Sequence, residues 1–174
     1  MQHAVISVIG RDRPGIVNDL TQLILSMQLN VEDSRMTVLG GEFAVLLLVT
    51  GTSDALSDLE AQLGVFSSEL DLSYVYRATS PRETSVQWLP YSVRVMAMDH
   101  PGIVHKVAGF FSARNINIEN LSTETQHAAH TGTPIFNVDM RIQVPLELKG
   151  AVLRENFLEF CSEQDLDGTL EPGG

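Results

Sequence analysis

Apolar residues recur with two different periods along this chain, and the two periods take turns. Val5 to Ile9 is a short run of strand length. Asp12-Arg13-Pro14-Gly15 follows, and then Ile16, Leu20, Leu23, Ile24 and Met27 fall at helical spacing. Pro14 suits the first helical position, where its missing N–H costs nothing. Residues 31–38 and 43–50 read as two strands joined by Gly40-Gly41, a hairpin signal. Ser53 then suits a helix N-cap. Asp54 and Asp58 lie near the positive end of that helix, and Leu56, Leu59 and Leu63 lie on its inner side. Leu72 to Tyr76 makes a fourth strand. The order is βαββαβ, the ferredoxin-like split arrangement.

The pattern then starts again. Asp12-Arg13-Pro14-Gly15-Ile16-Val17 returns 87 residues later as Asp99-His100-Pro101-Gly102-Ile103-Val104. The helices match too, with Ile16, Val17, Leu20, Leu23 and Ile24 answered by Ile103, Val104, Val107, Phe110 and Phe111. Asn30 and Asn117 each lead into the next strand. The second copy is predicted as strand 92–98, helix 102–114, strands 117–125 and 135–144, helix 147–164 and a short last strand, Thr169 to Glu171. Gly168 and Pro172 leave that last strand little room. A repeat of this length is a duplicated small domain rather than a solenoid unit. The fold class is α+β: two antiparallel sheets in tandem, each with its helices on one face. The first domain takes 1–76, a polar aperiodic linker 77–90, and the second domain 91–174.

Composition narrows the function. The formal net charge of -11 on 174 residues repels phosphate backbones, and no Lys/Arg cluster stands against it. Direct nucleic-acid binding is not expected. Cys161 is the only cysteine, which leaves no intrachain disulfide and no cysteine-based zinc site. It reads as a buried small hydrophobe in a helix. The N-terminus lacks a basic segment followed by a long apolar run, and no stretch is long enough to span a bilayer, so the chain reads as cytoplasmic. His127 and His130 share the loop 126–134 with no third ligand near in sequence, so no metal is expected. No Ser-His-Asp order, P-loop or dinucleotide fingerprint is present, and neither an enzyme nor a cofactor is expected.

The two copies differ on one strand. Phe136, Val138, Met140 and Ile142 alternate with Asn137, Asp139, Arg141 and Gln143, which marks one buried and one wet face. In the first copy Ala44, Leu46 and Leu48 replace Asn137, Asp139 and Arg141. Both faces of that strand are apolar, so Ala44, Leu46 and Leu48 are candidate interface residues. The cover is the other domain, a second chain or a partner protein.

The repeated turn has a backbone chemistry of its own. The amides of Gly15, Ile16 and Val17 lack intrahelical acceptors and sit at the positive end of the helix dipole, where a carboxylate is a natural guest. Gly15 lets a ligand approach the backbone closely. Asp12 offers a carboxylate to an ammonium group, so the pair suits a free amino acid. The same holds for Asp99, Pro101 and Gly102. The competing reading is a tight strand-to-helix turn with no ligand. Asn18 and His105, in the first helical turns, either reach over the site or stand in solvent. Asn30 and Asn117 suit a left-handed turn conformation.

A strand, then Asp-x-Pro-Gly-Ile-Val opening a helix, then an asparagine within a βαββαβ unit, resembles the ACT domain, a small-molecule regulatory module. The run from Asn30 through Glu32-Asp33-Ser34-Arg35 to Gly40-Gly41-Glu42-Phe43 is similar to the tandem-ACT repressors of the glycine cleavage system. The resemblance implies a repressor that lacks a DNA-binding domain, contacts a DNA-binding transcriptional activator and responds to a small amino acid such as glycine. It also implies that an asparagine near Asn30 or Asn117 contacts the ligand. Each half is of near-minimum size and can bury only a modest core, so it leans on the other half or on a second chain, and a homo-oligomer is expected. Tandem ACT units also regulate enzymes of amino-acid metabolism, so a stand-alone regulatory subunit and a structural dimerisation module are the alternatives. The candidate ligand-binding residues are Asp12, Arg13, Pro14, Gly15, Ile16, Asn18 and Asn30 in the first copy. In the second they are Asp99, His100, Pro101, Gly102, Ile103, His105 and Asn117.

Overall fold

The computed structural model describes residues 1–81, 87–127 and 132–173. The chain divides into two compact units, Met1–Arg82 and Glu83–Gly174. The first contains β1 (Gln2–Arg11), α1 (Ile16–Ser26), β2 (Asn30–Leu39), β3 (Glu42–Gly51), α2 (Ser53–Glu69) and β4 (Leu72–Thr79). The second contains β5 (Trp88–Met98), α3 (Ile103–Ser112), β6 (Asn117–His127), β7 (Pro134–Pro145), α4 (Gly150–Glu163) and β8 (Asp167–Pro172). Each unit is βαββαβ. The sheet orders are β2-β3-β1-β4 and β6-β7-β5-β8, antiparallel throughout.

Alternation along the central strands decides where the helices lie. Ala4, Ile6 and Val8 of β1 and Phe43, Val45, Leu47 and Val49 of β3 are buried, together with Ile16, Leu20 and Ile24 of α1 and Leu56, Leu59 and Leu63 of α2. The second core repeats this with Val93 and Val95, Val138 to Val144 at alternate positions, Ile103, Val107, Phe110 and Phe111 of α3, and Leu153, Phe157 and Cys161 of α4. Both helices of each unit therefore cover one face of its sheet. Phe157 anchors the second core, with its ring 5.4 Å from Phe111 and 5.3 Å from Phe110. Burial pushes the Cys161 thiol up to about 11, and nearby Asp167 adds to the shift.

Several local expectations are corrected. Strands β4 and β5 reach into the stretch expected as linker, pairing as far as His3↔Thr79 and Trp88↔Pro145. Those strand ends are mostly polar because one face is wet, so composition disguises them. Residues 82–86 lie outside the described residues. The cap of α2 is Thr52, whose hydroxyl accepts from the Ala55 amide at 3.2 Å; Ser53 is the first helical residue. The last strand is six residues long despite Gly168 and Pro172. Gly168 is not a breaker there, because a Cβ would stand 2.4 Å from Cys161 Sγ, so its bareness lets α4 close onto β8. The left-handed residues are Gln28 and Asn115, at φ 57° and 54°, not Asn30 and Asn117. They end α1 and α3, where Leu29 N–H donates to Ile24 and Ile116 N–H to Phe111. Asn30 and Asn117 already belong to the ladders of β2 and β6. Gly40 and Gly41 do form the hairpin turn, with φ 60° and 89°.

Candidate functional site

Both Asp-x-Pro-Gly turns are built alike. The Asp12 amide donates to the Gly41 carbonyl at 3.0 Å, and the Asp99 amide to the Pro134 carbonyl at 3.2 Å. Each turn is thereby tied to the far end of the neighbouring strand pair. Gly15 and Gly102 then adopt φ 95° and 96°, a region that excludes most side-chain-bearing residues. This left-handed step is why α1 begins at Ile16 and not at Pro14, which lies in the turn. The same holds for Pro101 and α3. Helical bonding starts at Asp19 N–H to Gly15 and at Lys106 N–H to Gly102, each 2.9 Å. The amides of Ile16, Val17 and Asn18, and of Ile103, Val104 and His105, precede that first bond. The N-cap residues, Gly15 and Gly102, have no side chain with which to cap either helix. Their N–H groups are therefore available to an anion at the positive helix end.

Side chains divide differently from the backbone. Ile16 and Ile103 are core residues, so only their amides face the turn. Asp12, Asp99, His100, Asn18 and His105 are exposed around it. Arg13 folds back over the first turn, with Nη2 donating to Asp19 Oδ2 at 3.0 Å and Nη1 to the Pro14 carbonyl at 3.3 Å. In the second turn His100 Nδ1 lies 3.1 Å from the Pro101 carbonyl, and Lys106 replaces Asp19. The first turn of α1 holds an acidic residue and that of α3 holds none. The second turn is thus the more favourable for a carboxylate.

A cleft of about 430 Å³ opens there, lined by Asp99, His100, Pro101, Gly102, Ile103, Val104 and Phe136. Phe136 was not among the sequence candidates. Its counterpart Phe43 sits one strand from the first turn, opposite Gly10, so the internal repeat carried the signal. Beside Phe43 the edge strand β2 presents Val38 and Met36 on the helix side, both exposed; β6 presents Thr125 and Thr123 at the matching positions.

Asn30 and Asn117 do not join these sites. Asn30 shares a row with Thr50 and His3, whereas the turn leaves the sheet at the row of Leu39, Glu42 and Arg11. Eight strand steps, about 27 Å, separate the two rows. Asn117 likewise pairs with Gln143, at the end of the second sheet away from Met98, and its amide donates to Gln143 Oε1 at 3.3 Å. Antiparallel pairing imposes this, because a strand that starts after α1 starts at the far edge. Among the described residues no three His, Cys, Asp or Glu side chains cluster as a metal site. His127 closes β6 and His130 lies outside the described residues. Among the described residues no helix is long and apolar enough to cross a membrane.

Known proteins share this architecture. ACT-domain models match residues 2–77 and 91–149. The glycine cleavage system transcriptional repressor of Escherichia coli is 30% identical over 168 residues, covering 97% of this chain and 88% of that protein. A crystal structure described as a candidate glycine cleavage system transcriptional repressor superposes with TM-score 0.75 at 29% identity, covering 98% and 96% of the two chains. That of an unknown protein from Galdieria sulphuraria gives 0.80 at 30% identity, covering 99% of each. The chain belongs to the ACT-domain family, as a two-domain member related along nearly its whole length to the glycine cleavage system transcriptional repressors.

Proposed function

We propose that this protein is a cytoplasmic transcriptional regulator that binds a small amino acid such as glycine and acts through a DNA-binding activator protein. The observation that carries the sensing part is the second turn. Three amides ahead of the first helical bond, a left-handed glycine without a side chain, and Asp99 stand around one open cleft. The amides and helix dipole receive the ligand carboxylate, and Asp99 receives its ammonium. Lys106, in place of Asp19, makes this copy the stronger of the two.

Relatedness to a transcriptional repressor over 97% of the chain supports the regulatory part. The charge of -11 supports action through a partner, since counterion release has almost no basic surface to draw on. Calorimetric titration with glycine, serine and alanine tests the sensing. Binding at millimolar concentration or tighter that is lost in Asp99→Ala is expected. No binding of any free amino acid removes the sensing reading. Gel-shift assays with the pure protein are expected to be blank, and a shift without a second protein removes the partner reading.

A further inference from the structure

We propose that the outer face of the first sheet is a self-complementary dimer surface, seated on the same face of a second copy of this chain. The strand register defines the face. Ala44, Leu46 and Leu48 of β3 lie level with Ile9, Ser7 and Val5 of β1 and point away from α1 and α2. Val75 of the edge strand β4 extends the patch beyond Ser7. Leu46, Ile9 and Val75 are 50%, 48% and 57% exposed. Three large apolar side chains on one sheet face are left about half wet by the described residues.

The sequence itself narrows the occupant. The matching face of the second sheet carries Asp139 and Arg141 on β7 and Arg94 on β5, with an Arg94–Asp139 ion pair at 3.3 Å. Placing that charged face on the apolar one would strip water from its charges without replacing it. An identical copy keeps its charges on this face to the edge strands, at Asp33, Arg35 and Arg77, and to the end row of Glu42 and Arg11, and leaves the middle rows of β1 and β3 uncharged. A two-fold axis parallel to the strands, between β1 and β3, exchanges those two central strands and also exchanges β2 with β4. Each row keeps its height. Leu46 then lies over Ser7 of the second copy, Ile9 over Ala44, and Leu48 over Val5. In the first two contacts the larger side chain meets the smaller.

The rim agrees in charge. Asp33 of β2 and Arg77 of β4 occupy the same row, at opposite edges of the sheet. Asp33 already holds Arg35 of its own strand, and the two-fold brings this pair beside Arg77 of the second copy, twice over. Glu42 and Arg11 share another row on the same face and are exchanged in the same way. Four strands about 4.8 Å apart and rows about 6.8 Å apart give roughly 400 Å² per copy, below the ~800 Å² of a standard interface. The dimer is therefore concentration-dependent.

Sedimentation of the full chain from low micromolar to several hundred micromolar tests this. The wild type should pass from monomer to dimer mass. Leu46→Asp should raise the dissociation constant by at least ~tenfold, with unchanged circular dichroism at low concentration, because Leu46 is wet in the monomer. Asp33→Arg should weaken the dimer, and Asp33→Arg with Arg77→Asp should restore it. The charge-exchange pair decides the question if Leu46→Asp fails to fold. The proposal is overturned by a wild type that stays monomeric, by a dimer indifferent to Leu46→Asp, or by a charge exchange that does not rescue. It is equally overturned if Leu46→Asp changes the hydrodynamic radius of the monomer itself, which signifies docking within one chain.

Discussion

Two alanine substitutions seven residues apart test the turn with opposite signs. Gly102 holds φ 96° and ψ -2° ahead of α3, and Gly109 lies inside that helix. A Cβ at either position meets nothing within 4 Å, so neither change costs packing and only the backbone differs. At Gly109 the change to alanine gains about 0.8–1.0 kcal/mol of helix propensity. At Gly102 the left-handed conformation costs alanine about 1–2 kcal/mol. Reduced freedom of the unfolded chain returns about 0.4–1 kcal/mol of that. The net loss is about 1 kcal/mol, so the pair differs by about 2 kcal/mol. For a unit of this size each kcal/mol moves the midpoint by about 4–8 °C. Scanning calorimetry of the full chain should show Gly102→Ala melting several degrees below the wild type and Gly109→Ala several degrees above. If Gly102→Ala relaxes its φ, the amides of Ile103 and Val104 swing away and amino-acid affinity falls; Gly109→Ala should bind normally. Equal shifts of the same sign, or wild-type stability in Gly102→Ala, would refute the claim that the left-handed glycine dictates the turn.

Three further outcomes follow from the packing. Phe157→Ala should cost about 3–5 kcal/mol in denaturant unfolding of the second unit, because its ring is fully buried against those of Phe110 and Phe111. Thr52→Ala should cost about 1 kcal/mol while Ser53→Ala stays near neutral, since Thr52 makes the cap bond; the reverse order would restore Ser53 as the cap. The protonated Cys161 thiol contributes stability that is complete below pH 9 and lost as pH rises toward about 11. The wild type should therefore lose stability more steeply across that alkaline window than Cys161→Ala does, and parallel slopes would count against the raised thiol pKa.

The sequence by itself determined the units and their order. Period two and period 3.6 are local signals, and Val5–Ile9, Ile16–Met27 and their repeats carry them whatever the chain does at a distance. It also determined which side of β3 faces the core, because Phe43, Val45, Leu47 and Val49 alternate with Ala44, Leu46 and Leu48. Tertiary structure decided what depends on partners remote in sequence. Asn30 and Asn117 look adjacent to the motif when read along the chain, yet antiparallel pairing carries them to the other end of the sheet. Gly168 reads as a breaker until α4 is seen resting where its side chain would be. Phe136 enters the second cleft only because β7 pairs beside β5. Local periodicity specifies elements; the ladder, which joins residues dozens of positions apart, specifies which of their side chains meet.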